Sequence, residues 1–225
     1  AARLVQILRA RGFEGVIFPV HRSFDFALLN QGWSEFALVG CNDHRLGEWV
    51  DVVCADYHRN LEVGLRRLRH LGFERIGLVL TSQFDAASGG LVHGGFLRHQ
   101  AELAAEDRVP VCFASDKTDA SASVLTEWLG EHRPDAVLSA GVGATITSRC
   151  EGVDPVWVQL HAAGGEFHAG VDPAAGEIAA QAVECVVEKM RRYERGPRES
   201  SRMHLVRGTW QERGLVRRVA ETVVA

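Results

Sequence analysis

The chain has 225 residues, with 25 Lys and Arg against 29 Asp and Glu, a formal charge of −4, and 46% hydrophobic residues. This is the balance of a folded globule large enough to hold its core without disulfides or metal, and disorder is excluded as the dominant state. Mild acidity argues against nucleic-acid binding by these residues alone.

In chain order, AARLVQILRARG reads as a charged amphipathic helix without the apolar core of a signal peptide. Apolar, β-rich runs then alternate with helical patterns. Strands are predicted at 15–20, 36–40, 50–55, 76–80, 109–113, 136–140, 156–160, 167–171 and 203–206. Their near-continuous apolar character fits strands buried on both faces of parallel sheets. Between them, Leu61, Leu65 and Leu68 form one helix face ahead of Gly72, a plausible C′ stop. Leu97, Ala101 and Ala104 repeat that spacing. Ser121 is the expected cap of a helix ending before Pro134. A helix starting at Pro173 carries the apolar stripe Ile178, Ala179, Ala182, Val183, Val186, Val187 and Met190, and Gly196-Pro197 stops it. Strand–helix alternation predicts an α/β fold with parallel sheets flanked by helices. Polar or Gly-rich breaks at 81–90, 162–165 and 196–201 read as three hinges between two lobes.

Cys41, Cys54, Cys112, Cys150 and Cys185 are odd in number and lack C-x-x-C spacing. They suggest a reducing compartment with neither disulfide framework nor zinc site. No apolar run reaches the roughly 18 residues of a membrane span.

The segment DYHRNLEVGLRRLRHLGFERIGLVL, from Asp56 to Leu80, resembles the regulatory core of the LacI/GalR family of bacterial transcription regulators. RGFEGVIFP at 11–19, Gly95-Phe96, PDAVL at 134–138, the helix near 170–190 and the strand at 205–210 resemble family segments in the same order. The resemblance implies a two-lobed, type I periplasmic-binding-protein-like fold. Its lobes are expected at 1–81 with 164–197 and at 82–163 with 198–225. It further implies a sugar or similar small polar effector in the interlobe cleft, a cytoplasmic homodimer, and no enzyme activity. No cofactor, metal or membrane partner is expected. DNA contact is expected only through an upstream helix-turn-helix that these residues do not include. The family's first strand–helix–strand, roughly 30 residues, is also expected to be missing.

The usual ligand groups are eroded. The family's Arg falls on Val92, its Asn-Asp on Gly141-Val142, and its late Asp near His161. Asp56 keeps the matching residue type. It sits where open parallel sheets bind ligands, and reads either as a sugar contact or as a helix cap. Phe84 and Trp157 are candidate stacking residues, with core packing the competing reading for Trp157. His161, beside Gln159 and His168, is a ligand contact or a hinge histidine. His21 and Arg22 are cleft-facing or solvated loop residues. The Gly141–Thr145 turn lacks the Lys of a phosphate loop, and no catalytic constellation is evident. An exported solute-binding protein, a stand-alone α/β enzyme and a gene fragment are the competing classes.

Overall fold

A computed structural model describes residues 2–19, 32–114, 118–142, 155–161, 169–198 and 200–212. The chain divides into two compact units. The first comprises 1–55, 87–89 and 174–206, and the second comprises 56–86, 90–173 and 207–225. The boundary therefore falls at 55/56, not after residue 81. The helix and strand that follow Asp56 belong with the second unit because that strand is hydrogen-bonded into the second sheet.

The first unit opens with α1 (Ala2–Ala10), matching the amphipathic N-terminal pattern, and α1 buries Val5. Its sheet is four-stranded and parallel, in the order β1 (Gly15–Pro19), β2 (Ala37–Cys41), β3 (Asp51–Ala55) and β9 (Met203–Val206). Among the described residues β1 pairs with β2 alone. The later helix α6 (Ala175–Arg191) packs on β1, β2 and β3. Gly15 permits that approach, since a Cβ there would lie 2.8 Å from Val186 Cγ2.

α6 begins after Pro173, but its buried stripe is narrower than its sequence suggests. Ile178, Ala182 and Val186 are buried, while Val183 is 51% exposed. The same face also buries a cation, Lys189, whose Nζ lies 2.7 Å from Asp51 Oδ2. Asp51 also accepts a hydrogen bond from the Arg202 amide at 2.8 Å. One carboxylate at the start of β3 thus ties α6 to the segment entering β9.

The second unit holds a six-stranded sheet in the order β10-β8-β7-β6-β4-β5. Its strands are β4 (Ile76–Thr81), β5 (Cys112–Ala114), β6 (Ala136–Ala140), β7 (Val156–Gln159), β8 (Ala169–Asp172) and β10 (Thr209–Glu212). All pairs are parallel except β10–β8.

α2 (Tyr57–His70) buries Leu61, Leu65 and Leu68, the face predicted. It ends in a Schellman motif: the Phe73 amide donates to Leu68 O and the Gly72 amide to Arg69 O, with Gly72 at φ 92°. α3 (Ser82–Ala87) occupies the first predicted hinge. α4 (Leu91–Ala101) buries Val92, Phe96 and Gln100, whereas Leu97 is 49% exposed and Ala104 lies beyond the helix. The expected face is therefore rotated by one residue. Gln100 explains the rotation: its Nε2 donates to Ile76 O at 3.3 Å and its Oε1 accepts from the Val109 amide at 2.7 Å. A polar residue satisfied in this way takes a core position that hydrophobicity assigns elsewhere.

α5 (Thr118–His132) starts three residues before Ser121. Its Leu125, Trp128 and Leu129 pack with Val79, Val109 and Val137.

Candidate functional site

Strand order reverses about β4 in the second unit. From β4 the chain moves outward to β5, then returns to place β6 on β4's other side. In an open parallel sheet the crevice at such a switch point, outside the carboxyl ends of the strands, is where ligands bind. Thr81 ends β4, Gly141 follows β6, and His161 lies just past β7.

The local folding of each piece follows from its residues. Asp56 caps α2, with Oδ1 accepting from the Arg59 amide at 3.0 Å. This puts Tyr57 in the first turn, where it is buried. Thr81 Oγ1 accepts from the Phe84 amide at 3.1 Å, which turns the chain from β4 into α3 and sets the Phe84 ring. Gly141 takes φ 74°, and a Cβ there would meet Thr81 Oγ1 at 2.7 Å and Phe84 Cβ at 2.9 Å. Only glycine fits both the backbone and the space.

Three rings converge on this edge. Tyr57 and Phe84 are edge-to-face, with centroids 5.6 Å apart and planes at 87°. His161 lies 5.0 Å from Tyr57 and 5.2 Å from Phe84. Such spacings are those of favourable aromatic pairs. Phe84 and His161 are only partly buried, so the cluster keeps accessible ring surface. Burial lowers the His161 pKa to about 4. Its imidazole is neutral at neutral pH, and Nε2 is buried without a hydrogen-bond partner.

The positions at which the family pattern carries an Arg and an Asn-Asp bring no polar side chain. Val92 is buried on α4, Gly141 has no side chain, and Val142 is buried in the α5 core. Among the described residues the edge is thus an aromatic platform with one neutral imidazole, the Asp56 carboxylate at the helix start, and no cation at the family's Arg and Asn-Asp positions. Its chemistry is stacking and hydrogen-bond acceptance.

Among the expected site residues, the structure brings Phe84 and His161 together and places Asp56 next to Tyr57 as a cap. Trp157 lies in β7, paired with Val137, and packs against the α5 core. Core packing is therefore what the structure assigns to Trp157. His21, Arg22, His168 and Gly143–Thr145 lie outside the described residues. Sequence reasoning missed Tyr57 and Thr81. Thr81 had a signal in its position at the carboxyl end of β4, whereas no local signal marked Tyr57. Among the described residues Cys41, Cys54, Cys112 and Cys185 form no disulfide, and burial raises the pKa of Cys41 and Cys185. No group of metal-ligating side chains occurs among the described residues.

Solved structures match this arrangement over most of its length. A transcriptional regulator CelR in complex with cellobiose superposes with a TM-score of 0.66 at 18% identity, covering 94% of this chain and 68% of that one. A LacI transcriptional regulator from a Rhodococcus species gives 0.68 at 17%, covering 93% and 80%. A LacI-family regulator from Enterococcus faecalis with bound ribose gives 0.67 at 10%, covering 94% and 80%.

The chain has the periplasmic-binding-protein-like fold of LacI-type regulators.

No protein-family model and no curated sequence matches it, so structure rather than sequence carries the likeness. These LacI-type neighbours are transcription regulators rather than enzymes. No described helix is long and apolar enough to cross a membrane.

Proposed function

We propose that the chain is the effector-sensing and dimerisation core of a LacI-type bacterial transcription regulator, acting in the cytoplasm without enzyme activity. DNA contact would come from a helix-turn-helix outside these residues. The effector we assign is a neutral sugar or a similar uncharged polyol ring. The observation that carries this reading is the Tyr57–Phe84–His161 cluster at the switch point of a fold shared with regulators solved with cellobiose and ribose.

A pyranose or furanose ring has apolar C–H faces and hydroxyl edges. Phe84 supplies a face for the former. The neutral His161 and the Asp56 carboxylate supply acceptors for the latter. The absence of a cation at Val92 and Gly141-Val142 disfavours a sugar phosphate. Ligand acts by population shift, favouring whichever of two conformations binds it more tightly.

The test is thermal unfolding of the chain against a panel of neutral mono- and disaccharides, cellobiose and ribose included. A ligand at about 100 times its Kd adds roughly 2.7 kcal/mol. For a chain of this length that is a rise in Tm of about 5–11 °C. Phe84→Ala is expected to abolish the rise. A panel without any saturable shift, or a shift that survives Phe84→Ala, contradicts the assignment.

A further inference from the structure

A cavity of about 420 Å³ lies in the second unit between α2 and α4. Of the cluster's rings it shares only the helix that begins at Tyr57. Leu61 and Leu65 give it an apolar side, and Gly95 keeps it open: a Cβ at Gly95 would lie 2.9 Å from both His58 Nδ1 and Leu61 Cδ2. The volume is in the range of small-molecule sites.

Its polar groups are unbalanced. Two carboxylates line it, and other cations already hold both. Glu62 pairs with Arg59 at 3.0 Å and His58 at 3.4 Å, and Arg59 helps to lower its pKa. Glu102 lies 3.6 Å from Arg98. Arg69, in the last turn of α2, and His99 also line the cavity. Arg69 Nη2 and His99 Nε2 are buried with no hydrogen-bond partner. Burial and the nearby Arg69 charge lower the His99 pKa, and together they outweigh the opposing Glu102 charge. Two nitrogen groups without partners, one of them permanently cationic, mark a place where an acceptor is missing.

We propose that this cavity is a binding site for a small organic carboxylate with an apolar body, distinct from the sugar site. The carboxylate accepts from the Arg69 guanidinium and from the His99 Nε2–H, while the apolar body lies against Leu61 and Leu65. Gly95 is the residue that makes room for it.

The test is isothermal titration of the full 225-residue chain with 1-naphthoate and with the neutral isostere 1-naphthamide. Saturable 1:1 binding of naphthoate is expected, with naphthamide at least about tenfold weaker, as befits loss of a charge-assisted hydrogen bond. Arg69→Gln is expected to weaken naphthoate by about tenfold or more. Gly95→Val is expected to remove binding, and Phe84→Ala to leave it unchanged. Circular dichroism verifies that each variant is folded. Arg69→Gln keeps the test decisive if Gly95→Val does not fold, because Arg69 is partly exposed at the end of its helix. Equal affinity for the amide, indifference to Arg69→Gln, or no binding up to about 10 mM, weaker than even a millimolar site, overturns the proposal.

Discussion

The buried pair Lys189–Asp51 gives the sharpest test of how the first unit is held together. Both side chains are nearly inaccessible, at 5% and 4% exposure, and their charged atoms are 2.7 Å apart. Lys189→Met keeps the apolar stem and removes the ammonium. Asp51 is then left buried, with the Arg202 amide at 2.8 Å and Arg198 3.8 Å away as its remaining partners. Breaking one side of a buried ion pair costs about 3–5 kcal/mol, against a total stability of about 5–15 kcal/mol for a typical domain. At about 2–4 °C per kcal/mol for a chain of this size, Tm is expected to fall by about 6–20 °C. Replacing both partners, Lys189→Met with Asp51→Leu, is expected to be less damaging than Lys189→Met alone, because no charge is stranded. Urea unfolding followed by circular dichroism measures all three proteins. A Lys189→Met variant within about 1 kcal/mol of the parent would refute the reasoning, since the pair would then be no more than a surface-type contact.

Asp51 also sets a pH limit. Burial alone would raise its pKa, but the Lys189 hydrogen bond, the Arg202 amide and the Lys189 and Arg198 charges outweigh it and hold the pKa below the usual carboxylate value. Its stabilising contribution is expected to be present above about pH 3.9 and lost as pH falls through the lowered folded value. His161 acts in a higher window. Its folded pKa of about 4 lies below the unfolded value of about 6.5, so stability is expected to decline by roughly 3 kcal/mol as pH falls from about 6.5 to 4. His161→Phe should flatten that slope, and an unchanged profile counts against a buried neutral imidazole. Gly141→Ala places a Cβ 2.7 Å from Thr81 Oγ1 at φ 74° and is expected to cost about 1–3 kcal/mol by denaturant unfolding. Asp56→Ala removes the α2 cap and is expected to cost about 1 kcal/mol while weakening sugar binding. Loss of the whole unfolding transition would make Asp56 purely structural.

Much of the fold was legible because parallel strands buried on both faces leave near-continuous apolar runs. Ile76–Thr81 and Ala136–Ala140 stand almost where the pattern puts them. Capping was legible too, since Asp56 and Gly72 are residue types with few local alternatives. What hydrophobicity hid were polar groups satisfied at long range. Gln100 rotates the buried face of α4 by bonding two backbone groups, and Lys189 enters the core through a carboxylate 138 residues away. No local window contains those partners. Phe84 and His161 were readable from their place at strand ends. Tyr57 was not, because its role depends on where β4 and β7 deliver two other rings. Trp157 stayed open between stacking and core packing because an aromatic in a strand has the same sequence signature whether it faces ligand or core.

The central claim, that a neutral sugar meets the Tyr57–Phe84–His161 cluster, is tested most directly by histidine NMR. The His161 Cε1 proton is followed while cellobiose and ribose are added to the chain. The account predicts a saturable shift of that resonance with at least one of the two sugars, and none with the Phe84→Ala variant. A His161 signal that ignores both sugars, or that moves equally in Phe84→Ala, contradicts it.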